Sequence, residues 1–178
     1  MMSVANLKKL IPFPDKAIEI NPASWSRIEE KVNCFLPNDF KSFIDSYGTG
    51  VIGNFLWVLN PKSSNDSLNF NKSKYFSFSY NKMKELFPED YMRPAFPKEN
   101  SFLTWAFSDN GDSLFWVVNG DNPDEWKVGI HSSDQGEEEI FDMGVSAFLI
   151  SLANKTLSSE IFPEDFLKGE INFVSYPK

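Results

Sequence analysis

The chain has 178 residues, enough for one domain that hides about 70% of the surface its unfolded form would expose. Its single cysteine, Cys34, excludes an internal disulfide, and no apolar run of about 18 residues exists to span a membrane. The net charge of −8 is uneven: residues 1–100 hold 13 Lys/Arg against 11 Asp/Glu, whereas residues 101–178 hold 4 against 14.

Such an acidic half repels nucleic-acid phosphates and argues against DNA or RNA as a partner. It either attracts a basic protein or only keeps the chain soluble. The 18 Phe, 5 Tyr and 5 Trp predict a ring-rich core.

The first helix is predicted near Asn21-Pro22, with Ser26 and Glu29 at capping-box spacing and Trp25, Ile28 and Val32 on one face. A second helix starts at Pro37. Asn38 and Asp39 suit its positive end, Phe40, Phe43, Ile44 and Tyr47 form its stripe, and Gly48 caps it. Val51 to Leu59 reads as a strand, and so does the alternating Tyr75 to Tyr80, with a short helix over Met83 to Phe87. Phe102 to Phe107 and Ser113 to Val118 read as strands joined at Asp109-Asn110-Gly111-Asp112, where Asn-Gly predicts a type I′ turn. Trp126 to His131 and Glu138 to Phe141 are further strands, and Val145 to Leu152 is a helix. The stretch Phe162 to Val174 reads as a short helix and a last strand. The order gives a single α+β domain over residues 1–178, an antiparallel-rich sheet with N-terminal helices and a C-terminal helix packed on one side.

Chemistry is thin. His131 is the only histidine and has no cysteine near it in sequence, so no metal site and no Ser–His–Asp set is signalled. No glycine-rich phosphate loop occurs, and no cofactor is expected. The hydrolase reading rests on Asp109 and Asp112, two carboxylates flanking one turn, although aspartate is common in turns for its own backbone bonds. The other signal is a surface: Trp57, Trp105, Trp116 and Trp126 fall on strands, either as core or as rings left exposed beside acids.

Trp25-x-x-Ile28-Glu29, then Leu36-Pro37-x-Asp39-Phe40-Lys41-x-Phe43-Ile44, then Tyr47-Gly48-x-Gly50 resembles the opening signature of the SUKH superfamily. Thr49 stands where that family usually has glycine. Trp105, the Asn110-Gly111-Asp112 turn and Phe148-Leu149 resemble its later blocks, so the likeness runs from about Trp25 to Leu152. The resemblance implies a non-enzymatic binding protein. Bacterial members are cytoplasmic immunity proteins that neutralise a cognate toxin, often a nuclease, and a fungal branch regulates cell-wall synthesis as a scaffold. The lack of long extensions on this chain favours the first over the second. The resemblance carries no catalytic residues, and it makes Trp25, Leu36, Pro37, Tyr47, Gly48, Gly50, Asn110, Gly111 and Asp112 structural. The expected partner is a basic toxin protein bound by a monomer. The expected contact residues are Asp121, Asp124, Glu125, Trp126, Glu137, Glu138 and Glu139, with Trp57 and Trp116.

Overall fold

In the computed structural model, which describes residues 4–14, 24–94 and 96–176, helix α1 (Val4–Leu10) precedes the first helix read from the sequence. The expected Asn21-Pro22 start lies outside the described residues. Helix α2 (Trp25–Val32) is capped by Ser24, whose Oγ accepts from Arg27 N–H, and not by Ser26. Glu29 closes no capping box. Its carboxylate accepts from Leu36 N–H and from Lys41 Nζ, both at 2.9 Å, and so ties α2 to the next helix. Helix α3 (Asn38–Tyr47) starts after Pro37, and Gly48 ends it at φ 76°, a region costly for a residue with a Cβ.

The stretch read as one strand folds back on itself. Strands β1 (Gly50–Ile52) and β2 (Leu56–Val58) are joined through Gly53 and Asn54, both at positive φ, the pattern of a type I′ hairpin. At Asn110-Gly111 only Gly111 has positive φ, and its N–H donates to Ser108 O. A glycine closing a type I turn, not a type I′ pair, therefore links β3 (Ser101–Ser108) to β4 (Ser113–Val118).

The largest correction is helix α4 (Lys72–Leu86), which replaces the expected strand Tyr75–Tyr80 and absorbs the short helix after it. Ser73, Phe76, Tyr80 and Met83 recur at spacings of three and four and turn inward, while Tyr75, Phe78 and Leu86 face solvent. Strands β5 (Lys127–His131) and β6 (Glu138–Phe141), helix α5 (Val145–Ala153), the short α6 (Glu164–Lys168) and β7 (Phe173–Ser175) follow as expected.

The seven strands form one antiparallel sheet in the order β6-β5-β4-β3-β2-β1-β7. Strand β4 shows how its faces divide. Leu114, Trp116 and Val118 join the main core with Leu7 of α1, Phe40 and Phe43 of α3, and Phe148 of α5, so these helices share one side. Phe115 and Val117 face the other way, into a smaller cluster with Tyr80, Tyr91 and Phe102. The unforeseen α4 covers that second face. A bulge between Thr104 and Ala106 lets Trp105 and Ala106 both serve the main core. Phe40 sits edge-on to Trp116 at 4.9 Å and to Trp105 at 6.2 Å. No helix among the described residues is long and apolar enough to cross a membrane.

Candidate partner-binding surface

Three of the six predicted contact acids hold the fold together. Pro37, at the start of α3, has no side chain able to cap the free N–H groups there. Asp124 supplies the cap from 86 residues away: Oδ1 accepts from Asn38 N–H and Oδ2 from Asn38 Nδ2, both at 2.6 Å. A second cap runs the other way. Gly144 precedes α5, and Asp39 Oδ2 accepts from Ser146 N–H at 2.8 Å. Burial pushes the Asp39 carboxyl above its ordinary range against the pull of that N–H, and the charge of Asp124 adds to the rise. Glu138 accepts from Arg93 Nε at 2.7 Å and from the Tyr80 hydroxyl at 3.2 Å, pinning the segment after α4 to β6. Glu139 accepts from Ser159 Oγ and Glu160 N–H, both at 2.6 Å.

Asp121, Glu125 and Glu137 are exposed. Asp121 and Glu125 lie in the β4–β5 connection, where Glu125 accepts from Asn122 Nδ2. Glu137 lies in the β5–β6 connection, at the far end of β5, about 14 Å of extended chain away. The acids therefore divide between two ends of the sheet. Asp142, not singled out from sequence, joins the first group and pairs with Lys127 at 3.1 Å. Phe35, 72% exposed, stands three residues before the Asn38 that Asp124 holds. No local pattern marks Phe35, which stands directly before buried Leu36 and Pro37.

The expectation of exposed rings is corrected for two tryptophans. Trp116 is fully buried, and Trp126 is buried with its Nε1 donating to Gly120 O, so neither ring can reach a partner. Trp105 is sealed as well. Of the four tryptophans read onto strands Trp57 alone is half-buried, its Nε1 donating to Asp109 Oδ1 at 2.6 Å and its ring 5.1 Å from that of exposed Tyr176. It stands by the β3–β4 turn, at the opposite end of β4 from Asp121.

The paired-carboxylate site is likewise corrected. Asp109 is spent on Trp57, while buried Asp112 accepts from Ser108 Oγ at 2.6 Å and from Ser133 N–H at 3.1 Å. The two carboxyl groups serve opposite flanks of their own turn and face no common pocket. Cys34 offers no nucleophile either: burial, then the Glu29 charge, pushes its thiol up to about 12. No group of three or more His, Cys, Asp and Glu that could hold a metal occurs among the described residues.

The motif residues sit at joints. Trp25 Nε1 donates to Asp45 Oδ2 at 2.8 Å, fastening α2 to α3. Leu36 is buried, and the Tyr47 hydroxyl donates to Ile11 O at 2.7 Å. Gly50 is needed for closeness, since a Cβ there would stand 2.2 Å from Val174 O.

The family model described as SUKH_6, SMI1-KNR4 cell-wall, matches residues 22–149, well over half of the chain, and the chain belongs to that superfamily. Members generally act as non-enzymatic proteins that bind partner proteins, and membership is consistent with an immunity or regulator role. Comparison with curated proteins and with solved structures gave no match.

Proposed function

We propose that this protein is an immunity protein that neutralises a cognate basic toxin by direct binding, without catalysis, in the cytoplasm. Family membership carries the reading, and the charge of residues 101–178 supports it. The contact surface in this proposal is the β4–β5 end, where Asp121 and Glu125 are exposed, Asp124 beside them is held by Asn38, and Phe35 offers an apolar anchor. Glu137 and Trp57 are separate, secondary points of contact.

The test is co-expression with the product of the adjacent gene, followed by association kinetics. Growth arrest by that product should be relieved by this chain. Asp121→Lys with Glu125→Lys should slow association about tenfold at low salt and flatten its salt dependence. Unchanged association would remove the electrostatic surface, and absence of binding would remove the immunity role. The family's cell-wall members favour a second reading, a regulatory scaffold. Capture of cell-wall synthesis proteins, with no effect on the adjacent product, would favour it.

A further inference from the structure

One side of α4 carries a polar line that the fold does not use. Asn71, just before the helix, then Lys74, Ser77 and Asn81 recur at spacings of three and four and so share that side. Lys74 and Asn71 are exposed, and Ser77 and Asn81 are half-buried. No side chain of the four has a hydrogen bond or ion pair among the described residues, whereas Lys82 on the same helix pairs with Glu85 and Lys84 donates to the carbonyls of Met92 and Arg93.

These four border a cavity of about 330 Å³. Its other walls are apolar. Val32 and Cys34 come from the end of α2, Phe70 and Leu103 form the buried floor, and Phe96 closes the far side. Burial keeps the Cys34 thiol neutral, so that wall carries no charge. Phe78, 61% exposed, stands at the rim. Ser73 also lies against the cavity, but its hydroxyl is enclosed and out of reach of anything inside. No Asp or Glu borders the cavity among the described residues, although the chain as a whole carries a net charge of −8.

Close-packed interiors leave few voids larger than a water molecule, whereas ligand pockets begin at about 300 Å³. An apolar hollow bordered by one unpaired ammonium, two amides and a hydroxyl suits a molecule with an apolar tail and an anionic head. A cationic head would meet Lys74 with no acid beside it to compensate.

We propose that this cavity binds a small single-chain carboxylate, its tail against Val32, Phe70, Phe96 and Leu103 and its head on Lys74, with Asn71 and Ser77 as further donors. No bordering residue belongs to the proposed toxin contact, so the site stands or falls independently of that reading.

The test titrates the full chain by calorimetry with octanoate, with octanamide, which has the same tail and a neutral head, and with octylammonium. Octanoate should bind saturably at one site, octanamide about fivefold more weakly, and octylammonium more weakly still. Added salt should narrow the gap between octanoate and octanamide. Lys74→Met, which alters an exposed side chain without a partner, should bind octanoate and octanamide alike. Nuclear Overhauser contacts from the octanoate methylenes to the Val32 and Leu103 methyl groups should place the tail. No saturation by octanoate, equal affinity for octanoate and octanamide in the unaltered chain, a preference for octanoate surviving in Lys74→Met, or tail contacts away from Val32 and Leu103 would each overturn the assignment.

Discussion

Asp124→Ala separates an acid that builds the fold from acids free to meet a partner. The change removes the acceptors for two donors of Asn38, one of them a main-chain N–H at the start of α3. Losing a helix N-cap costs roughly 0.5–2 kcal/mol, and losing a negative charge beside a helix N-terminus adds about 0.3–1 kcal/mol. The site is exposed, and removing Asp124 also relieves Asp39, whose carboxyl it pushes upward. A net loss of about 1–1.5 kcal/mol follows, which for a chain of this length lowers Tm by about 2–6 °C. Asp124→Asn keeps an oxygen for the main-chain N–H and should lose about half as much. Thermal unfolding followed by circular dichroism, with urea unfolding beside it, measures both. A Tm for Asp124→Ala within about 1 °C of the unaltered protein would refute the capping role. Asp121→Ala, with no cap to lose, serves as the control and should change Tm little.

Three other outcomes are expected. His131 has a native pKa of about 4 against 6.5 unfolded, so the unfolded chain takes up the proton first and stability falls as pH drops from 6.5 towards 4. The loss amounts to about 3 kcal/mol, and His131→Phe should flatten that segment of the urea-unfolding profile, whereas parallel profiles would count against it. Gly50→Ala drives a Cβ into Val174 O and the Phe173 ring, and should speed hydrogen exchange at residues 173–175 while β3–β5 stay protected. Asp39 has a native pKa above its unfolded value, so the native state holds the proton more tightly and this group's contribution falls as pH rises above 3.8. Asp39→Asn keeps an oxygen for Ser146 N–H without the buried charge. It should therefore cost less stability at pH 7 than Asp39→Ala, and equal losses would contradict the account.

The sheet and four of its helices, α2, α3, α5 and α6, were legible in the residues. Ser113–Val118 is apolar on both faces and bounded by turn residues, and Phe40, Phe43, Ile44 and Tyr47 keep a helical stripe. Helix α4 was not legible, because Tyr75 to Tyr80 alternates aromatic and serine as a half-buried strand would. Only the depth of Phe76 and Tyr80, against the exposure of Phe78, shows that the period is helical. Helix α1 buries only Leu7 along its length, too little to mark a face. At the candidate surface the acids were visible but not their duties. Asp124 and Asn38 meet only after folding, as do Glu138 and Arg93, and no local pattern announces either pair. The tryptophans misled for a related reason: Trp126 lies between Glu125 and Lys127 in sequence, yet it packs in the core with Trp116, their centroids 6.4 Å apart.

Strand β7 pairs with β1 through Gly50 and Ser175, Val51 and Val174, and Ile52 and Phe173. During translation helices α1 to α3 and the first hairpin leave the ribosome long before residues 173–175 do. Until those residues arrive, β1 presents a row of unsatisfied main-chain donors and acceptors to its surroundings. The nascent chain thus has an open flank through about 120 residues of further synthesis, a period in which a chaperone or a neighbouring copy can occupy the place β7 later takes.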